Sequence, residues 1–148
     1  MSWKRALDEA LDARPEAGPV HVDAGDRGTA EVDMVSAGPI GVRVRGLTLP
    51  RRTGESAVDT CHRIARSTRN LPERLTVVEA DTRLDGGVLR SDPSDQFDPQ
   101  EFTEVRVDPD AVRVRRLRAD AQTGERRRAS WDATREQLAR LLGEIQGR

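Results

Sequence analysis

Valine alternates with arginine along much of residues 102–131, and this alternation restricts the fold more than any other feature of the chain. Val105, Val107, Val112 and Val114 recur at a spacing of two, with Arg106, Arg113 and Arg115 between them. That period belongs to a strand with one buried and one wet face. Asp108-Pro109-Asp110-Ala111 separates the two runs. Proline at the second position presets φ for a type I turn, and the first aspartate can bond the turn backbone. A hairpin closed there sets Val107 near Val112 and Val105 near Val114. It also brings Arg106 towards Arg113 on the other face, where like charges repel and need carboxylates or an external anion. A second hairpin is expected at Ala121-Gln122-Thr123-Gly124, with a single returning strand over 125–131 that carries Arg126, Arg127 and Arg128.

Charge is strongly segregated along the chain. From 112 to 128 there are seven arginines against Asp120 and Glu125, whereas 79–110 holds ten acids against Arg83, Arg90 and Arg106. The formal net charge is only −1. Mutual neutralisation of the two segments is the ordinary outcome of such a pattern. Its alternative is a bipolar surface that steers a charged partner. The candidate binding residues are the basic face Arg113, Arg115, Arg118, Arg126 and Arg128.

The remaining pattern gives an α+β chain. A short amphipathic helix over 2–13 carries Trp3, Leu7 and Leu11 on one stripe, with Ser2 placed to cap it and Arg14-Pro15 to end it. Three strands follow at 20–23, 29–36 and 40–49, joined by short connections, so antiparallel pairing is the economical arrangement. A second helix is expected over 54–70 through Val58, Cys61, Ile64 and Ala65. Residues 74–84 form a strand, Asp85-Gly86-Gly87 a turn, and 91–100 a loop rich in Ser, Asp and Pro. Thr134 and Gln137 are spaced as a capping box for a last helix bearing Leu138, Leu141, Leu142 and Ile145. The expected architecture is one domain over 1–148, its antiparallel sheet (a three-stranded meander plus two hairpins) packed by three helices. In element order alone this is similar to the small homodimeric secretion chaperones of the type III class, a resemblance that implies protein binding.

Residues 42–55 (VRVRGLTLPRRTGE) align without a gap on 112–125 (VRVRRLRADAQTGE), with eight identities. An internal repeat of about 15–70 and 85–140 would place the two arginine-bearing strands in equivalent positions of a pseudo-symmetric sheet. Leu47 and Leu117 both break the alternation, as a shared β-bulge would.

Catalytic chemistry finds little support. His21 and His62 are the only histidines and Cys61 the only cysteine, so no intramolecular disulfide forms and no three- or four-ligand zinc spacing exists. Cys61 with His21 is the one conceivable nucleophile pair, and a buried core thiol is the simpler role. Neither Gly25-Asp26-Arg27-Gly28 nor Asp85-Gly86-Gly87 has the glycine and lysine pattern of a phosphate loop. No metal or cofactor is expected. The N-terminal MSWKRALDEA lacks the apolar core of a signal peptide and no apolar run could span a bilayer, which points to a cytoplasmic protein with no membrane partner. With only two Trp, two Phe and no Tyr, the core must rest on aliphatic residues, and a thin core favours burial against a second copy. The leading expectation is a non-enzymatic, homodimeric protein-binding module of adaptor or chaperone type. The alternative is nucleic-acid binding through the arginine-rich hairpin 112–128, set against the scarcity of aromatics for base stacking.

Overall fold

The structure is a computed structural model that describes residues 1–13, 16–92, 100–120 and 122–147. The element order is α1 (Trp3–Ala13), β1 (Gly18–Asp23), β2 (Thr29–Ala37), β3 (Gly41–Pro50), α2 (Ala57–Ser67), β4 (Leu75–Asp81), β5 (Gly86–Ser91), β6 (Gln100–Val107), β7 (Ala111–Ala119), β8 (Arg126–Ala129), β9 (Trp131–Thr134) and α3 (Arg135–Gln146). The α+β class with three helices and an antiparallel sheet is as expected. The sheet, however, has nine strands among the described residues, more than a meander and two hairpins supply.

Seven strands run side by side in the order β1-β2-β3-β7-β6-β5-β4. Two antiparallel meanders therefore stand back to back, and β3 meets β7 at the centre with Leu47 opposite Val114 and Leu49 opposite Val112. The hairpin of β6 and β7 has the predicted register: Val107 faces Val112, Val105 faces Val114, and Arg106 faces Arg113. Its turn closes through Asp108 N donating to Ala111 O at 2.8 Å.

Beyond Gly46 and Arg115 the central pair opens into a fork. The expected single strand over 125–131 is in fact two. β8 follows β7, with Leu117 opposite Arg128, and the chain then crosses at Ser130 so that β9 follows β3, with Val44 opposite Trp131. The fork forms where β3 changes its alternation. Val44 pairs with Met34 and Gly46 with Asp33, which leaves Arg45 as the extra residue of a bulge. No such shift occurs in β7, which pairs with β6 without interruption from Val112 to Ala119. The shared bulge at Leu47 and Leu117 is therefore not present. Leu117 keeps the alternation and points away from the helices, and Arg116 takes the inward position.

All three helices lie on one face. Val20, Val32, Met34, Val44, Leu47, Val105, Val112, Val114 and Trp131 meet Leu7, Cys61, Ile64, Leu138, Leu141 and Leu142 in one continuous core. Apart from Trp3 and Trp131 the core is aliphatic, as the composition requires. Each helix begins where its cap lies. Ser2 Oγ accepts from Arg5 N, Ser56 Oγ from Asp59 N, and Thr134 with Gln137 forms the predicted capping box. α2 starts at Ala57 rather than 54 because Gly54, at φ 82°, is still in the preceding turn.

The β4–β5 turn also lies earlier than expected. Asp85 takes the left-handed conformation at φ 50°, and Gly86 and Gly87 are already in β5. Gly87 is needed for close packing and not for turning. A Cβ there would stand 2.5 Å from Cys61 Sγ and 2.7 Å from Glu79 O. The predicted loop over 91–100 falls mostly on 93–99, outside the described residues.

Candidate protein-binding face

The sheet face opposite the helices is uncovered among the described residues, and its composition follows from alternation. Because Ala30, Val32 and Met34 face the core, Glu31 and Asp33 face outwards; because Val112 and Val114 face the core, so do Arg113 and Arg115 face outwards. Cross-strand register then sets these residues in transverse rows. One row runs Pro19, Asp33, Gly46, Arg115, Glu104, Arg90, and the next runs His21, Glu31, Thr48, Arg113, Arg106, Val88.

Four of the five expected basic residues share this face: Arg113, Arg115, Arg126 and Arg128. Arg118 does not. It lies an even number of residues from Val114, on the helix-bearing side, and its Nη2 donates to Glu101 Oε2 at 2.8 Å. Glu101 also accepts from Arg116 Nε at 3.1 Å, and Arg116 reaches Thr103 and Glu73 as well. This is a buried polar cluster that closes one end of the core.

On the open face the acidic and basic segments interleave. Glu104 lies only 1% exposed beneath three arginines, 2.7 Å from Arg115, 3.0 Å from Arg90 and 3.7 Å from Arg106. Burial pushes its carboxyl up, but hydrogen bonds from Arg115 and Arg90 outweigh burial and hold it below the usual value. Asp108 pairs with Arg113, and Asp132 with Arg43 at 3.0 Å. The repulsion between Arg106 and Arg113 is thus relieved from within the protein.

Other charges on this face have no such relief. Among the described residues Arg45, Arg126, Arg128, Glu31 and Asp33 make no ion pair. Arg126 lies over the Phe102 ring at 5.3 Å from its centroid, so Phe102 is buried under a cation and offers no stacking surface. Arg128 stands at the fork, its Nη2 donating to the Arg45 carbonyl at 2.9 Å. Burial lowers its pKa and the nearby Arg115 and Arg45 add to the effect, while Asp33 opposes them. Gly46 makes room for this arginine, since a Cβ there would lie 2.9 Å from Arg128 Nη2.

Between the two charged sets runs a trough. Its floor is the open face of β3, Gly46 and Thr48. One wall is β2 with Asp33 and Glu31, and the other is β7 with Arg115 and Arg113. The part near the fork encloses about 370 Å³, and a second part of about 570 Å³ continues towards His21, Pro50 and Asp110. Both parts are lined by Glu31, Thr48 and Arg113. No family model, curated protein or solved structure matches this chain.

The residues considered for catalysis are not brought together. Cys61 is fully buried between α2 and β5, while His21 lies exposed on the opposite face of the sheet and His62 is exposed on α2. Burial also raises the Cys61 thiol, against the weaker influence of Arg51. No cluster of metal-ligating side chains forms among the described residues, and no helix there is long and apolar enough to cross a membrane. Glu31, Asp33, Gly46 and Thr48 were not among the expected site residues. The alternation of β2 contains the signal that its acids face outwards. Their position opposite the β7 arginines depends on β3 lying next to β7, which no local pattern contains.

Proposed function

We propose that this protein is a protein-binding module of adaptor type and that the open sheet face is its docking surface. The observation that carries the reading is the trough along β3, walled by acids on one side and arginines on the other, with Glu31, Asp33 and Arg128 held there without ion-pair partners. Charged groups left unpaired on a preformed concave surface are complementary to a partner that supplies the missing charges. Both signs are present on this face, which suits a polypeptide better than a uniformly anionic polymer. The nucleic-acid alternative is weaker on the same ground, and also because Phe102 and Trp131 are buried.

A photo-cross-linking residue placed at Thr48, in the full chain expressed in its own cells, tests the reading. The expected result is a discrete protein adduct, lost with Arg113→Glu combined with Arg126→Glu and absent when the cross-linker sits at Glu136 on α3. Adducts to a second copy of the chain would make the partner a homodimer. Nuclease-sensitive adducts, or equal yields from Thr48 and Glu136, would refute the reading.

A further inference from the structure

The two walls of the trough differ in sign, and this restricts what the trough can hold. Asp33 and Glu31 on β2 face Arg115 and Arg113 on β7 across the single strand β3. Two strand spacings put the walls about 10 Å apart at the backbone. An α-helix of 10–12 Å diameter is too wide for that gap once the side chains are counted, whereas one extended chain fits. The floor from Gly46 to Pro50 is about 13 Å long with the Arg128 guanidinium over its Gly46 end, so an extended segment of up to four or five residues meets that arginine at one end. In an extended chain successive side chains point to opposite sides. A segment lying along β3 therefore sends alternate residues to opposite walls.

Resting on the reading that this face binds protein, we propose that the trough takes an extended polypeptide segment with alternating acidic and basic residues, the acids turned to Arg113, Arg115 and Arg128 and the bases to Glu31 and Asp33. Arg115 and Arg113 are already partly satisfied by Glu104 and Asp108, so the largest unmet charge on the basic side is Arg128 over Gly46. An incoming carboxylate there relieves its repulsion with Arg45 and Arg115. On the acidic side neither carboxylate has an ion pair, although Asp33 already attracts Arg128 from across the trough, and a lysine or arginine between them pairs with either.

Amide chemical-shift titration of the full chain at low salt with four capped octapeptides tests this. The peptides are alternating glutamate–lysine, a block sequence of the same composition, all-glutamate and all-lysine. The alternating peptide is expected to bind at least about tenfold tighter than the block peptide, because only alternation sorts the signs to the two walls. Its shifts should centre on Asp33, Gly46, Thr48, Arg113 and Arg128. Glu31→Lys combined with Asp33→Lys, both on the open face, should reverse the preference to all-glutamate.

Equal binding of the alternating and block peptides would overturn the inference, as would tightest binding of either single-sign peptide to the unmodified chain. The absence of shifts in the trough with every peptide would overturn it too. None of these results removes the broader reading, which depends separately on the adduct formed from Thr48.

Discussion

Two neighbouring arginines on β7 face opposite ways, and replacing each in turn tests how the sheet divides its charge. Arg116 is 1% exposed and faces the helices. Its Nε donates to Glu101 at 3.1 Å, its Nη1 to Thr103 Oγ1 at 3.0 Å, and Nη1 and Nη2 to the two oxygens of Glu73 at 3.0 and 2.9 Å. Arg116→Met keeps the unbranched stem and deletes the charge. Thr103 Oγ1, fully buried, loses a donor. Glu101 keeps Arg118 at 2.8 Å, and Glu73 is exposed enough to turn to water. Removing one partner of a fully buried pair costs about 3–5 kcal/mol. The contacts that survive place this case at the lower end, about 3 kcal/mol. In a chain of 148 residues that lowers the melting temperature by roughly 6–12 °C. Arg115→Gln, one residue away, removes a half-buried guanidinium and leaves Arg90 at 3.0 Å from Glu104. Because Glu104 is itself buried but keeps Arg90, the expected cost is about 1–1.5 kcal/mol, still well under that of Arg116→Met. Urea unfolding followed by circular dichroism measures both. Equal losses, or a loss under about 1 kcal/mol for Arg116→Met, would refute the assignment of these two residues to opposite faces.

Three further expectations follow from the packing. Glu104 is held below its ordinary 4.5 by Arg115 and Arg90, so its contribution to stability is complete above that pH and is lost as the pH falls through the lower native value. Glu104→Gln should lower stability at neutral pH and flatten the acid side of the stability–pH curve, and an unchanged acid limb would argue against the site. Gly87→Ala should cost about 1–3 kcal/mol in thermal melts, because Cys61 Sγ and the Glu79 carbonyl occupy the place of the new methyl; Gly38→Ala, with open space around it, should be neutral. Cys61 should resist thiol reagents in the native protein and react fully in urea, and rapid native labelling would contradict the packing of α2 on β5.

Where local signals agree, the sequence is a good guide to this fold. The β6–β7 hairpin is legible because valine alternation and the Asp108-Pro109 turn specify the same register. The start of α3 is legible because Thr134 and Gln137 satisfy each other. The misassignments have physical causes. Counting by twos from Val114 places Arg116 and Arg118 inwards, yet an inward arginine is acceptable only with carboxylates to receive it; Glu101 follows from the hairpin register, but Glu73 reaches Arg116 only through the fold. In the sequence β8 and β9 read as one strand because nothing local marks Ser130 as a crossing point. Arg45, the residue displaced by the β3 bulge, looks like any other member of the Val-Arg alternation.

The trough itself combines the two kinds of information. Which side chains point outwards follows from alternation on β2 and β7, and which walls face each other follows from the pairing of β3 with β7. These are not independent. A slip of one residue in that pairing would turn Val112 and Val114 to solvent and drive Arg113 and Arg115 into the core. The same register that buries the valines against Leu47 and Leu49 therefore keeps the arginines facing the acids of β2. Substitutions that leave this core intact can change the charges on the walls without moving the walls. The charge-reversal variants of Glu31 and Asp33 are for that reason a test of recognition, and stability measured alongside binding tells a lost contact from a lost fold.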